Sequence, residues 1–315
     1  MLTLFTSQSL SDAAKALADG KLVSFATETV YGLGADATND KAVANIYAAK
    51  GRPSFNPLIA HVADLEQARS LGQFNDTALA IADAFWPGAI SLVVPLQNDV
   101  AISKLVTAGL PSIALRMPAP VKVREMIKLA GVPIAAPSAN LSGKISPTTA
   151  EHVAQSLDSS CAYILDDGPC EAGLESTIID CTAEEVRILR PGPITAEDLL
   201  EKIPNLQLQE TQIVNDHAPS APGQLTSHYA PKKRLELDVI MPSQDAIYIG
   251  FGANGHDNDL NLSPSGDLVE AAANLFAMLH IADALEGDHI AVAPITSGGL
   301  GTAIYDRLQR AAADK

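Results

Sequence analysis

The sequence predicts an α/β fold, with a large mixed sheet followed by a linker and a smaller α/β unit. Up to about residue 200, short apolar runs alternate with helical patterns. Several runs are separated by too little chain for a crossover helix, so the strands are expected to run in both directions. A proline-rich stretch without periodicity then precedes a strand–helix–strand–helix pattern. We therefore divide the chain into a first domain (1–203), a linker (204–231) and a second domain (232–315).

The first sixty residues predict two helices separated by a strand and a glycine-rich turn. "SDAAKALADG" has an N-cap candidate in Ser11 and closes on Gly20, which predicts a helix. "KLVSFAT" reads as a strand, and "NDKAVANIYAAKG" as a helix capped by Asn39. Between them Gly32 and Gly34 predict a turn, which either cradles phosphate or only permits a positive φ.

The remaining elements of the first domain follow in alternation. The predicted strands are "LIAHV", "ISLVVPL", "SIALRMP", "VPIAAP", "AYILD", "STIIDC" and "VRILRPG", and the predicted helices are "DTALAIADAFW", "VKVREMIKLAG", "TTAEHVAQSL" and "ITAEDLLEKI". The second domain is predicted from "AIYIGF", "DLVEAAANLFAMLHIADALEG", "HIAVAPI" and "LGTAIYDRLQRAAA". Strands separated by long helices give it parallel-sheet character.

Charge and composition exclude several classes of function. The net charge is −16, and the only cluster of basic residues is "KKR" at 232–234, so tight nucleic-acid binding is not expected. We predict neither a signal peptide nor a membrane span. Three cysteines without CxxC spacing favour reduced thiols in the cytoplasm over a disulfide framework or zinc site. A small anionic ligand held by a few cations remains possible.

Four basic residues of the first domain are candidates for binding a small anionic ligand. Lys50 and Arg52 flank Gly51 in "KGRP", just after a predicted helix. One basic residue there would only neutralise the helix dipole, but an ammonium beside a guanidinium also suits a polyphosphate. Arg116 and Arg190 each end an apolar strand. They either pair with surface carboxylates or converge at the strand ends, where open α/β sheets bind ligands.

A loop rich in serine and asparagine is the third candidate. "APSANLSGKISPT" carries Ser138, Asn140, Ser142 and Ser146 after a predicted buried strand. Such loops are normally turns, although hydroxyl and amide groups also bind phosphate and ribose oxygens. His61 lies in the middle of "LIAHV" and reads by default as a hydrogen-bonded core histidine. No GxSxG, HExxH or HxxxH pattern is present, and we predict no metal-ligating residues.

Six motifs in order resemble the YrdC-like family, namely "TETVYGLGADA", "KGRP…NPL", "SIALRMP", "APSANLSG", "ESTIID" and "ILRPG". The added linker and the ending "GLGTAIYDRL" are similar to the long, two-domain form, the threonylcarbamoyl-AMP synthases. The one departure is Ala26, where the family usually has proline. The resemblance implies a twisted mixed sheet with a deep, positively lined cavity, and a small Rossmann-like C-terminal domain.

By resemblance, the reaction joins L-threonine, bicarbonate and ATP into threonylcarbamoyl-AMP and releases pyrophosphate. A downstream tRNA threonylcarbamoyl transferase then modifies the adenosine next to the anticodon. Mg²⁺ is expected with ATP. Two alternatives stay open: an RNA-binding module in translation or ribosome maturation, which the net charge of −16 disfavours, and another carbamoyl or adenylyl transferase using the same cavity.

The resemblance also implies roles for individual residues. Lys50 and Arg52 match the catalytic KxR motif of the family. The positions that match threonine-binding residues are Thr29, His61, Arg116, Ala136 and Ser176. Those that match ATP-binding residues are Arg52, Asn56, Ser112, Ser138, Ser146, Arg190 and, in the linker, Tyr229.

Overall fold

A computed structural model describes residues 2–157, 160–209, 221–223, 226–255 and 260–313. Over these ranges the chain forms two sheets. The large one has eleven strands in the order β1-β8-β2-β3-β7-β4-β6-β5-β9-β10-β11, namely β1 (Leu2–Leu4), β2 (Val23–Phe25), β3 (Gly32–Asp36), β4 (Ile59–His61), β5 (Ile90–Pro95), β6 (Ser112–Arg116), β7 (Ile134–Ala135), β8 (Tyr163–Asp166), β9 (Thr177–Asp180), β10 (Val186–Arg190) and β11 (Leu208–Gln209). Its parallel and antiparallel pairs confirm the predicted mixed sheet.

Helices connect and cover these strands. The described helices of this part are α1 (Ser7–Ala18), α2 (Asp40–Lys50), α3 (Leu65–Leu71), α4 (Asp76–Phe85), α5 (Lys104–Thr107), α6 (Val121–Ala130), α7 (Ala150–Leu157) and α8 (Ala196–Lys202). None of the described helices is long and apolar enough to cross a membrane.

The first two helices differ in how well the sequence predicted their starts. Helix α2 begins after Asn39, whose side chain accepts backbone N–H bonds from the first turn, as predicted, and it ends on Gly51 with φ +59°. The predicted start of α1 at Ser11 is wrong. The N-cap lies five residues earlier, at Thr6, because Thr6 and Ser9 form a reciprocal capping box.

The predicted glycine-rich turn is also wrong, because Gly32 and Gly34 lie inside strand β3. A Cβ on Gly34 would lie 2.7 Å from the Phe25 ring and 2.8 Å from Ile134 Cγ2. Glycine is therefore required here for close packing between strands, and not for a positive φ or a phosphate-binding turn.

The strand directions bring the ends of several strands to one edge of the sheet. Strand β6 is antiparallel to β5, β5 is parallel to β9, and β9 is antiparallel to β10, so β6 and β10 run in the same direction. Strand β4 is parallel to β6 and pairs His61 with Arg116. Arg116 and Arg190, the last residues of their strands, consequently lie at the same edge.

The second sheet is parallel and has the order β12-β15-β13-β14, with β12 (Arg234–Glu236), β13 (Ala246–Gly250), β14 (Leu260–Asn261) and β15 (His289–Val292). Helices α9 (Leu268–Ala284) and α10 (Leu300–Ala312) accompany it. Its hydrophobic core continues into the first unit, since Leu174 and Val30 pack in one cluster with Tyr229 and Phe276. The two units therefore share an apolar interface.

The predicted linker, 204–231, is structured where it is described. Its first part forms strand β11, which pairs in parallel with β10. The segment is therefore not wholly without secondary structure. Ala221 packs on the face of the large sheet that carries Ile59 and Ala114. Residues 210–220 and 224–225 of this prediction lie outside the described residues.

Candidate active site

A narrow cavity lies between the large sheet and the described linker residues. Its volume is about 50 Å³. The walls come from the start of β3 and the loop before it, from β4 and β6, from the residues after α2 and β7, from those before β9, from the end of β10 and from the linker. Three arginines from separate elements line it, Arg52, Arg116 and Arg190.

Arg116 is fixed by two side chains of the "TET" segment. Its Nη1 donates to Thr29 Oγ1 at 2.9 Å and its Nη2 to Glu28 Oε1 at 2.6 Å. The other Glu28 oxygen accepts the Ala119 N–H at 3.2 Å, while Thr27 Oγ1 lies 2.9 Å from Thr29 Oγ1. This part of the cavity presents a guanidinium and hydroxyls in a fixed arrangement, which suits the carboxylate and hydroxyl of a small ligand.

Arg190 lines the cavity next to the linker. Its Nη2 and Nε donate to Ser176 O at 2.8 and 3.1 Å, and its Nη1 donates to Pro222 O of the linker at 3.3 Å. Ser176 Oγ in turn lies 2.8 Å from Ser91 Oγ. Burial lowers the pKa of Arg190, and the neighbouring Arg307 and Arg116 act in the same direction.

Arg52 is buried just beyond the end of α2. Its Nη2 donates to Pro57 O at 3.0 Å and its Nε to Asn56 O at 3.4 Å. Burial lowers its pKa to about 10, and the charge of Arg190 contributes to this. The Asn56 amide is buried and has no hydrogen-bond partner among the described residues. Clustered, desolvated cations beside an unpartnered amide favour an anionic ligand with several acceptor oxygens.

His61 is a neutral group of the cavity wall. Burial, and secondarily the charge of Arg116, lower its pKa to about 3. Its ring packs edge-on against Phe25 with the centroids 6.2 Å apart. The expected hydrogen-bonded core histidine is found in part, since Nδ1 has no partner among the described residues.

Lys50 lies beneath the serine–asparagine loop and is not among the residues that line the cavity. Its ammonium donates to the carbonyls of Ser138, at 2.7 Å, and of Asn140. Burial holds its pKa well below the usual range, and Arg52 adds to this effect. In this arrangement Lys50 fixes the loop that carries Ser138 into the cavity.

Described residues of the linker line the cavity. Tyr229 and His228 both line it, and the Tyr229 side chain is only 1% exposed. The Tyr229 hydroxyl is buried and has no partner among the described residues. Its backbone has φ +63°, in the left-handed region that residues other than glycine rarely adopt.

The structure brings most of the predicted site residues together. The nine that line the cavity are Thr29, Arg52, His61, Arg116, Ala136, Ser138, Ser176, Arg190 and Tyr229. Four others do not line it, namely Lys50, Asn56, Ser112 and Ser146. Ser146 is buried one layer behind and donates to Glu175. Ser112 begins β6, the strand that Arg116 ends, so the two Cα atoms are about 13 Å apart. The individual roles stay predictions.

Sequence reasoning missed two carboxylates at this site, Glu28 and Glu175. Both stand in motifs that were singled out, "TETVYG" and "ESTIID", directly beside residues that were assigned roles. A carboxylate adjacent to predicted anion-binding residues was therefore the available signal. Arg307 also stands in a quoted segment, "GLGTAIYDRL", but no feature of the sequence indicates its contact with Glu175, 132 positions away.

Two family models match the chain. The Sua5, YciO and YrdC model, described as "Telomere recombination", matches residues 15–192. The model described as "Threonylcarbamoyl-AMP synthase, C-terminal domain" matches residues 194–313. Together they account for more than half of the sequence. The chain belongs to the Sua5–YciO–YrdC family.

Relatives in this family match over nearly the whole length. The threonylcarbamoyl-AMP synthase of Bacillus subtilis is 40% identical over 96% of this chain and 92% of the relative. That of Pyrococcus abyssi is 37% identical over 95% and 92%. A crystal structure of P. abyssi Sua5 complexed with L-threonine superposes with a TM-score of 0.88 at 34% identity, covering 99% of this chain and 96% of the other. The predicted family and fold are thus confirmed.

Proposed function

We propose that the protein condenses L-threonine, bicarbonate and ATP into threonylcarbamoyl-AMP and releases pyrophosphate. The observation that carries this proposal is the convergence of Arg52, Arg116 and Arg190 in one cavity of a protein with net charge −16. Relatives named for this activity share 33–40% identity over nearly the full chain, which supports the same conclusion.

L-Threonine is proposed to occupy the part of the cavity around Arg116. Its carboxylate would pair with the guanidinium that Glu28 and Thr29 already orient. Ser176 and Thr29 offer hydroxyls to its polar groups, and Ala136 leaves room for its methyl group. His61, which is neutral, adds no charge that would attract a second anion here.

The triphosphate of ATP is proposed to lie between Arg52 and Arg190. Both guanidinium groups are held by backbone carbonyls, so their orientation is fixed before the ligand arrives. The loop at Ser138, which Lys50 fixes, supplies further donors, whereas Asn56 does not line the cavity as described. Fixed donors stabilise charge that develops in a transition state without having to reorganise.

These residues support the chemistry by positioning and charge stabilisation. The threonine amine takes up bicarbonate as a carbamate with loss of water. A carbamate oxygen then attacks the α-phosphorus of ATP, and the bond from that phosphorus to the leaving oxygen breaks. Arg52 and Arg190 would offset the charge that accumulates on pyrophosphate.

The donor set of the described residues does not fit a resident magnesium ion. Among the described residues no group of three His, Cys, Asp or Glu side chains could hold a metal ion. Glu175, the carboxylate that lines the cavity, is already paired with Arg307 and Ser146. We therefore propose that Mg²⁺ enters as part of the ATP substrate, coordinated by its phosphates.

The cavity as described is too small for ATP. Pockets for ligands of this size span roughly 300–1,000 Å³, whereas this one has about 50 Å³. Tyr229 and His228 of the linker line this narrow cavity. We propose that the linker withdraws to admit ATP and returns to shield the labile adenylate from water.

Two further parts of the proposal concern the surroundings of the reaction. The product would pass to a separate tRNA threonylcarbamoyl transferase, since a chain of net charge −16 is poorly suited to hold tRNA itself. Cytoplasmic location would agree with the three free, buried cysteines.

The proposed function is tested with ATP labelled at the α-phosphate. The protein should convert the label into a new adenylate when threonine and bicarbonate are both present, with an equal amount of pyrophosphate. Omission of either substrate should abolish the product. Release of AMP or ADP at the same rate without threonine would refute the proposal.

A further inference from the structure

We propose that Arg307, in the terminal helix α10, is a positioning residue of the ATP-binding cavity. Arg307 belongs to the second unit and forms an ion pair with Glu175, a carboxylate that lines the cavity of the first unit. The pair offsets the negative charge of Glu175 in a site that must accept a triphosphate. The inference rests on the proposed ATP site and adds a residue from a unit to which no part in the reaction has been assigned above.

The contacts of Arg307 point from the second unit into the first. Its side chain is completely buried. Its Nε donates to Glu175 Oε2 at 2.9 Å, and the other Glu175 oxygen accepts from Ser146. Its Nη1 donates to Asp306 at 2.7 Å, whereas its Nη2 is buried without a partner among the described residues. Arg307 thus stands directly behind a carboxylate that lines the cavity.

The aromatic ring of the linker rests on the same side chain. The guanidinium carbon of Arg307 lies 5.4 Å from the centroid of the Tyr229 ring. A guanidinium near the face of an aromatic ring is attracted to it by a cation–π interaction, which an apolar side chain at the same place would not provide. Because Tyr229 has a positive φ, its backbone needs such surrounding contacts to hold its place.

Other contacts of the second unit reach the same loop, so the approach of Arg307 is not isolated. A Cβ on Gly173 would lie only 2.4 Å from Ala272 O of helix α9, which shows how tightly this backbone is pressed against the second unit. His280 Nε2, also from α9, lies 3.2 Å from Ser146 O. Both α9 and α10 therefore contact the residues around Glu175.

The charge of Glu175 explains why this pairing matters to ATP. Burial by itself raises the pKa of Glu175, but Arg307, Arg190 and the Ser146 hydroxyl lower it overall, so the group is ionised. Without Arg307, the negative charge of Glu175 would face the triphosphate with much less of that charge offset by neighbouring cations. Like charges in a desolvated site repel strongly, so ATP should lose affinity while threonine, bound around Arg116, should be affected less.

The test compares three variants with the wild type by equilibrium dialysis of labelled ATP and of labelled threonine. Arg307→Met keeps much of the buried apolar volume and removes the charge. Arg307→Met/Glu175→Gln replaces the ion pair with a neutral pair. Arg310→Met is the matched control, because Arg310 lies one turn away on the same helix and pairs with Asp306 outside the cavity. Thermal melting of each variant is recorded alongside.

We expect Arg307→Met to weaken ATP binding about tenfold or more, and to change threonine binding much less. The double variant should recover ATP affinity to within about threefold of the wild type, since no unpaired charge remains. Arg310→Met should bind both ligands normally. If Arg307→Met does not fold, the double variant decides: folded protein that binds ATP within this range supports the inference.

The inference is overturned if Arg307→Met binds ATP as Arg310→Met does, or if a folded double variant has lost ATP binding. Failure of the proposed function looks different. In that case the wild type itself would neither bind ATP nor form the adenylate.

Discussion

Replacement of Arg52 by alanine should nearly abolish adenylate formation and leave the fold intact. The guanidinium has five N–H groups, and among the described contacts one on Nε and one on Nη2 donate to the carbonyls of Asn56 and Pro57. Its other N–H groups remain to meet phosphate oxygens. Loss of two charge-assisted hydrogen bonds, at about 1.5–2 kcal/mol each, the lower part of the range for bonds to charged groups, should cost roughly 3–4 kcal/mol. This corresponds to a rate lower by about 100- to 1,000-fold.

The effect of the same change on stability should be small because two effects oppose each other. Two carbonyls would lose their donor, which costs about 1–3 kcal/mol when such a group stays buried. Against this, the repulsion that Arg52 exerts on the buried Lys50 would disappear. We expect the free energy of unfolding to change by no more than about 2 kcal/mol.

The assay is the formation of labelled adenylate at saturating threonine, with urea unfolding measured on the same samples. Arg187→Ala serves as the control. It removes an arginine from strand β10 that is 40% exposed and pairs with Asp180, away from the cavity, and exposed pairs contribute little. Turnover by Arg52→Ala close to that of Arg187→Ala would refute the assignment of Arg52 to the phosphates.

Three further predictions address the amino-acid site, the buried histidine and the linker. Threonine should be used far better than valine, and serine should be rejected less sharply, by about 1–3 kcal/mol; equal rates with valine and threonine in a competition assay would show that the amino-acid site is misassigned. The pKa of His61 is lowered to about 3 in the folded protein, against about 6.5 when unfolded. The stability that comes from keeping His61 neutral is therefore fully present above pH 6.5 and is lost as the pH falls towards 3. Urea unfolding at pH 7.5 and 5 should reveal a loss to which His61 contributes about 2 kcal/mol, and a His61→Gln variant with the wild-type pH dependence would contradict this. Tyr229→Ala should weaken ATP binding and speed the loss of the adenylate, and ATP with threonine should protect 204–231 from protease in the wild type; equal cleavage with and without ligands, together with normal adenylate retention by the variant, would reduce the linker to a tether.

Local patterns were sufficient to predict most elements of the large sheet. The cap at Asn39 and the alternation of apolar runs depend on near neighbours, which the sequence displays directly. The start of α1 was missed because Thr6 and Ser9 form a better cap than Ser11. Gly34 was misread because the ring that excludes a Cβ belongs to another strand, and only pairing brings it close.

Those residues of the candidate site that lie at strand ends could be predicted from the sequence. Arg116 and Arg190 could be proposed as partners because parallel strands end at one edge of a sheet. The contacts of Lys50 with the carbonyls at Ser138 and Asn140 depend on how two loops meet, which no spacing in the sequence indicates. The approach of Arg307 depends in the same way on the docking of the second unit.

The central claim is that one cavity joins three substrates into a single adenylate, and mass spectrometry of the product made with ¹³C-bicarbonate tests it most directly. The account predicts a threonine- and ATP-dependent product with the mass of threonylcarbamoyl-AMP, heavier by one unit than the product made with ordinary bicarbonate. An adenylate whose mass does not change with the label, or that forms without threonine, would contradict it.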